Sequence, residues 1–276
     1  MTLPAVPDTF HWTREPWGAA LRCRPLEAIA PHLFTTRQLS AYAKATAGQA
    51  SAGLTSAAWD ALGQTLGVTA GRVWRVRQVH GNKIIVARGD APDERAEADA
   101  LVSTDSSVAL AVLAADCVPL LMADARTGAV AAVHSGWRGT AARAGVTALE
   151  TMRREFGTRP EDVVAAIGPA IGPCCYEVGT ELVDAFAAAG HERYLIDRWF
   201  VAPPPRRSEP RTRRTKLRLD VPGSNRDQLI LAGVPEECIH VAGLCTAMHL
   251  DVLTSYRVEQ ERATRLAGAI SARAAG

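Results

Sequence analysis

Residues 98–139 read ADALVSTDSSVALAVLAADCVPLLMADARTGAVAAVHSGWRG, and this stretch decides the fold class. Asp99–Ser103, Val108–Ala115, Leu120–Ala123 and Ala129–His134 are apolar runs of strand length. They are divided by Ser/Asp/Pro positions and by the turn Arg126-Thr127-Gly128. After Gly139 the period changes: Val146, Leu149, Met152 and Phe156 fall at helical spacing, with Thr140 as the expected N-cap. The stretch thus reads as apolar strands that lead into an amphipathic helix, in a chain whose length suits one large α/β or all-β domain.

Upstream, Trp74, Val76, Gln78 and His80 share one face of an alternating segment. Gly81-Asn82 separates it from Lys83–Arg88, so the spacing predicts a β-hairpin with His80 at the mouth of its turn. Residues 1–36 are expected to form short strands, and residues 39–70 begin as a low-complexity loop (39–55) and end in a helix near Ser56–Leu66, capped by Ser56. Downstream, Val163–Ile167 and Ile239–Ala242 read as strands. Glu181–Ala189, capped by Thr180, and Asn225–Ala232 read as helices, and Glu259–Ala272 as a closing helix or strand–helix combination. Residues 203–218 (PPPRRSEPRTRRTKLR) form a Pro-rich loop with seven cationic residues. No internal repeat is visible, and one domain spanning 1–276 is the simplest account.

Composition excludes several classes. The 276 residues carry a net charge of +2 and are 47% hydrophobic and 22% charged, which is ordinary for a globular chain and gives no global case for nucleic acid or acidic membranes. The longest apolar tract, Val108–Ala125, is broken by Asp116 and Pro119, so no membrane span is expected, and the N-terminus has no secretory pattern. A cytoplasmic protein is therefore expected, with its six cysteines reduced. Seven histidines without an H-x-H pair are too few and too scattered for a multi-copper cluster.

Three residues that close predicted strands carry metal-ligand chemistry. His80, Cys117 and His134 offer two imidazoles and a thiolate, and strand ends of a sheet converge on one rim. Such a set suits zinc with a fourth position open, where the ion brings the pKa of a bound water to about 7. The intervals of 37 and 17 residues have no specificity of their own, and Cys117 alone reads equally as inert packing. Asp116, at the end of an apolar run, requires a partner if buried. In HSGWRG the turn and Arg138 either face an anion or form only a tight turn with a solvated charge. The vicinal Cys174-Cys175 reads as a redox pair or as one packed and one partly exposed thiol. Glu177 reads as a substrate contact or a helix cap.

Taken together, RQVHGN, ADCVPLL, HSGWRG, IGPCCYEV, LDVPGSNRDQLILAGV and GLCT…SYR, in this order over about residues 72–270, resemble the laccase-domain family. That family was once described as multicopper polyphenol oxidases and is now described as zinc-dependent purine nucleoside phosphorylases. The resemblance implies a single-domain α/β fold in which mixed β-sheets pack as a sandwich flanked by helices. It implies metal ligands at His80, Cys117 and His134, and Asp116 as a catalytic proton carrier. Arg37, Gln78, Arg138 and Glu177 become candidate substrate contacts. It further implies phosphorolysis of adenosine, inosine, guanosine and methylthioadenosine and deamination of adenosine, with nucleosides and phosphate as partners; the sequence does not give the oligomeric state, and a monomer is the expectation. Alternatives are a peptidoglycan-precursor editing hydrolase, a polyphenol oxidase using copper at the same donors, and an RNA-binding protein using loop 203–218. The family's Gly-Gly-Val/Phe-Ser and Ser-Leu-Asn-Leu segments are missing after Thr36-Arg37, where Gln38–Gly67 replaces them. The 203–218 loop is longer than expected.

Overall fold

Val118, Leu120 and Met122 point to one side of their strand and Leu121 and Ala123 to the other, and every one of them is buried. The neighbouring strand repeats the pattern, with Ala131 and Val133 on the first side and Val130 and Ala132 on the second. A strand with two apolar faces requires cover on both, and that requirement organises the whole chain. In the computed structural model, which describes residues 2–41, 54–89, 95–202 and 216–273, two six-stranded sheets stack face to face and helices cover their outer sides.

In chain order the elements are β1 (Phe10–Glu15), β2 (Gly18–Cys23), α1 (Arg24–Glu27), β3 (His32–Thr35), α2 (Ser56–Thr65), β4 (Val73–Trp74), β5 (Ile84–Val86), β6 (Ala100–Ser103), β7 (Ala109–Ala114), β8 (Val118–Asp124) and β9 (Val130–Ser135). There follow α3 (Trp137–Ala141), α4 (Ala144–Phe156), β10 (Val163–Ile167), β11 (Glu177–Val178), α5 (Glu181–Ala188), α6 (Arg193–Trp199), β12 (Phe200–Val201) and β13 (Leu217–Leu219). The chain closes through α7 (Val221–Leu231), β14 (Ile239–Val241), α8 (Tyr256–Glu259) and β15 (Leu266–Ser271).

One sheet runs β1-β2-β3-β15-β7-β4 and the other β14-β10-β8-β9-β6-β5; β11-β13-β12 form a small third sheet. Leu110, Val112, Leu266 and Ile270 of the first sheet meet Leu101, Leu121 and Ala166 of the second. Outside the second sheet, Leu149 and Met152 of α4, Phe186 of α5, Trp199 of α6 and Leu229 of α7 complete a second core. Trp59 and Leu62 of α2 cover the first sheet at Ala109, Ala111 and Ala267. Each fully buried leucine or phenylalanine contributes about 1.5–3 kcal/mol. No helix among the described residues is long and apolar enough to cross a membrane.

Several expectations change. The segments around Gly81-Asn82 do not form a hairpin: β4 pairs parallel with β7 in one sheet, while β5 pairs parallel with β6 in the other. The chain between them crosses from sheet to sheet, and His80 lies in the crossover with φ 62°. Thr140 does not cap a helix. Gly136 caps the short α3, and Arg143, at φ 56°, breaks the chain before α4. Thr140 is buried instead, where its Oγ1 accepts from Asn225 at 2.9 Å. Thr55 replaces Ser56 as the N-cap of α2, accepting from the Ala58 N–H at 3.4 Å. Thr180 occupies the cap position of α5 without a side-chain bond, and α7 begins four residues before Asn225, capped by Asp220. Residues 266–271 are a strand, not a helix, because Leu266, Ile270 and the intervening alanines are buried on both faces. Leu217 and Arg218 belong to β13. Residues 42–53 of the low-complexity stretch and 203–215 of the basic loop lie outside the described residues.

Gly168 follows β10 and meets the other sheet closely: a Cβ there would stand 2.4 Å from the ring of Phe34, which is itself 1% exposed. Gly168→Ala is expected to cost about 1–3 kcal/mol through overpacking, read as a lowered midpoint in urea. A midpoint equal to wild type would mean that the sheets are not this close.

Candidate active site

Asp99, just before β6, is fully buried, yet its carboxylate is fully engaged. Oδ1 accepts the His80 N–H at 2.8 Å and the Nδ1–H of His134 at 2.9 Å; Oδ2 accepts the Gly81 N–H at 2.6 Å and the Val79 N–H at 3.4 Å. Burial pushes this carboxylic acid up, but the bonds from His134 and the two backbone amides outweigh it and hold it below the usual range. One side chain thus fixes the crossover carrying His80 and the ring of His134 at the end of β9.

Cys117 immediately precedes β8, which pairs antiparallel with β9, so it falls beside His134. The ligand atoms of His80, Cys117 and His134 lie within 4.8 Å of one another, and the two imidazoles meet edge to face with centroids 4.8 Å apart. Gly136 makes the approach possible, because a Cβ there would stand 2.7 Å from the Cys117 sulfur. Burial raises the Cys117 thiol, but bonds and charge from His134 and His80 prevail and bring it to about 6. Burial lowers His134, but Asp99 and the Cys117 thiolate prevail and raise it to about 9. The donor set fits a transition-metal ion. With Nδ1 of His134 committed to Asp99, Nε2 is left for the ion, the carboxylate–histidine arrangement that orients metal ligands, and the thiol is already inclined to ionise.

These three residues line a cavity of about 830 Å³ that also includes Gln78, Asp116, Trp137, Arg138, Tyr176, Tyr256, Arg257, Glu261 and Arg265. The Gln78 amide is committed: it donates to the Leu113 carbonyl and accepts from the Leu113 N–H, each at 2.7 Å, pinning the crossover to β7. Asp116 takes φ 90°, a strained value for a residue with a side chain. Its oxygens accept from Thr246 Oγ1 and from the Arg257 N–H, both at 2.6 Å. Arg138 is exposed and lies over the Trp137 ring at 4.3 Å, and Arg257 lies over Tyr176 at 4.9 Å. Among the described residues no carboxylate pairs with either arginine.

Two expected contacts lie elsewhere. Arg37 is bonded to the Leu250 carbonyl and to Glu259 at 2.9 Å and is not among the residues around the cavity. Glu177 is not around it either, and its carboxylate meets Lys216 at 2.9 Å. Conversely, Asp99 and Arg257 were not singled out from the sequence. Asp99 carries the same signal as Asp116, a carboxylate abutting an apolar strand, and Arg257 belongs to the Ser-Tyr-Arg motif.

Asp99→Asn replaces an acceptor-only group by one that presents N–H to N–H, and metal affinity is expected to fall about 10–100-fold, measured by chelator competition; unchanged affinity would remove Asp99 from the site. In metal-free protein at pH 7, iodoacetamide should label Cys117 far faster than buried Cys23, whose thiol burial pushes up to about 11. Because the Cys117 thiolate is lost as pH falls through about 6, labelling should slow below that pH. A rate that instead keeps rising through pH 8–9 would contradict the thiolate–imidazolium pair.

The chain is similar to known proteins both in sequence and in fold. Over 159 residues the chain is 39% identical to a purine nucleoside phosphorylase of Bacteroides thetaiotaomicron, an alignment covering 58% of this chain and 55% of the relative. It is 34% identical over 182 residues to adenosine deaminase RL5 of an unknown prokaryotic organism, covering 63% and 65%. The chain therefore spans a little over half to about two thirds of the length of these curated relatives. The crystal structure of YlmD from Geobacillus stearothermophilus superposes with a TM-score of 0.78 at 28% identity, covering 97% of this chain and 100% of that one. Residues 34–273, which include His80, Cys117 and His134, match the family model for multi-copper polyphenol oxidoreductase laccase, and the chain belongs to that family.

Proposed function

We propose that the protein is a zinc-dependent purine nucleoside phosphorylase that also deaminates adenosine, working as one α/β domain, cytoplasmic and monomeric. The observation that carries this reading is the His80–Cys117–His134 donor set in a cavity also lined by arginines and aromatic rings. The names of the relatives support the substrate class: purine nucleoside phosphorylase and adenosine deaminase. A thiolate with two imidazoles suits zinc, and copper is an alternative at the same donors. Held by His80, Cys117 and His134, zinc would supply Lewis acidity at neutral pH.

The chain's own residues account for the rest. In phosphorolysis, phosphate attacks C1′, the glycosidic bond to nitrogen breaks, and the bonding pair leaves with the purine. Arg138 and Arg257 are placed to hold phosphate by charge-assisted bonds, which are stronger than neutral ones. The Trp137 and Tyr176 rings offer flat apolar surface to a purine. In deamination, water adds at C6 of adenine and ammonia leaves. Asp116 is the proposed proton carrier: each of its oxygens accepts one bond from the chain and keeps a lone pair free. Gln78 acts by holding the crossover that carries His80.

Chromatography of adenosine with zinc-loaded protein, with and without phosphate, tests this directly. Adenine that depends on phosphate and inosine that does not are both expected, and Cys117→Ser should lower both by about a hundredfold or more, since loss of even an outer-shell partner costs 10–100-fold. Arg138→Ala and Arg257→Ala should each raise the KM for phosphate by about 10–100-fold, the worth of a hydrogen bond to a charged group, while deamination changes less. Absence of product from folded, zinc-loaded wild type would sink the reading.

A further inference from the structure

Between Ile171 and Tyr176, two residues that line the cavity holding His80, Cys117 and His134, the chain carries Cys174 and Cys175, and with Cys245 these form a second cluster of soft donors. The sulfurs of Cys174, Cys175 and Cys245 come within 4.8 Å of one another, although Cys245 is about 70 residues away in the chain. Backbone bonds join the two segments that bring them together: Ala170 N–H donates to the Leu244 carbonyl at 3.2 Å, and Thr246 N–H to the Ala170 carbonyl at 3.1 Å. The turn itself is closed by the Cys175 and Tyr176 N–H groups, each donating to the Gly172 carbonyl at 3.0 Å. The Gly172 N–H donates to the Cys245 sulfur at 3.3 Å. The thiols thus stand on a braced loop pair, not on two independent chains.

We propose that Cys174, Cys175 and Cys245 form a binding site for a soft, thiophilic cation of the copper(I) type, distinct from the His80–Cys117–His134 site. Thiolates select soft ions. Three sulfurs about 2.3 Å from one ion stand about 4.0 Å apart in a trigonal arrangement, so sulfurs already within 4.8 Å close on one ion with movements below about 1 Å. A structural zinc takes four protein ligands, and iron–sulfur clusters are held by four cysteines. The cluster among the described residues has three donors, which favours a three-coordinate ion.

Three thiolates holding a monovalent cation are net anionic. Burial pushes the free Cys174 thiol up to about 12 and the Cys175 thiol up as well, while the positive charge of Arg218 pulls Cys175 the other way, so an ion binds here with release of protons. The buried Nε of Arg218 has no hydrogen-bond partner among the described residues. Cys174 is exposed, and with Cys245 it lines a separate cavity of about 440 Å³, which gives an ion a way in.

The test is independent of enzymatic turnover. Under anaerobic reducing conditions, zinc-loaded wild type and a Cys117→Ser variant are titrated with copper(I) against bicinchoninate. Both should retain one equivalent. Cys174→Ser, an exposed position whose folding is checked by circular dichroism, should weaken retention by about a hundredfold or more. X-ray absorption should find three sulfur neighbours and no nitrogen. In wild type, copper(I) should protect Cys174 and Cys175 from iodoacetamide, read by mass spectrometry. Copper retained equally by Cys174→Ser, retention lost only in Cys117→Ser, nitrogen in the coordination shell, or unprotected thiols would each overturn the proposal.

Discussion

The buried carboxylate of Asp99 is the constraint on which the site depends. A charge removed from water is tolerated only if its lone pairs are filled, and here three backbone N–H groups and one imidazole N–H fill them. Three of those donors belong to the crossover at residues 79–81 and one to β9, so satisfying a single side chain ties a chain segment to the end of a strand. The positive φ of His80, unfavourable for a residue with a side chain, persists because the carboxylate holds the amides on both sides of it. Stability of the charge and placement of the two imidazoles are one requirement.

The two-faced strands explain why this happens at the edge of the sandwich. Between Ala100 and Val133 the alternating residues are committed to the two cores, and polar chemistry has room only where strands end. Asp99 precedes β6, Cys117 precedes β8, and His134 lies next to last in β9. The β8–β9 register sets Pro119 opposite His134, which brings Cys117 next to it. Gly136 then lets the chain pass over the sulfur. The donors are therefore held by sheet register and a buried ion pair, while Arg138 and Arg257, stacked on aromatic rings, are restrained less. Rigid donors beneath adaptable cations suit the nucleoside and phosphate proposed as substrates.

How far the sequence could be read follows from the range of each signal. The apolar runs and the turn at 126–128 are local, so the strands of residues 99–135 and the helix of residues 144–156 were legible. So was the idea that His80, Cys117 and His134 meet, once family motifs were added to uninformative spacings. The Gly-Asn hairpin was not, because nothing local reveals that β4 joins β7 and β5 joins β6 in different sheets. The bond that replaces the hairpin comes from Asp99, 18 residues beyond Gly81. Thr140 misled for a similar reason: its hydroxyl serves Asn225, 85 residues on, and the break belongs to Arg143.

Asp116 and Arg257 carry the same lesson to the substrate side. From sequence, Asp116 was a carboxylate in need of a partner, and Arg37 a cation near a familiar motif. The partners are Thr246 and the backbone of Arg257, 130 and 141 residues away, while Arg37 is bonded to Glu259 at 2.9 Å. An arginine beside a carboxylate loses most of its pull on a passing anion, because the two charges compensate each other before the ligand arrives. Arg257 differs: its amide is anchored by Asp116, its guanidinium rests on Tyr176, and no carboxylate among the described residues neutralises it. The strained backbone of Asp116 thus does for the cationic rim what Asp99 does for the imidazoles. Each uses one carboxylate, at the foot of a strand, to hold a distant segment over the same cavity.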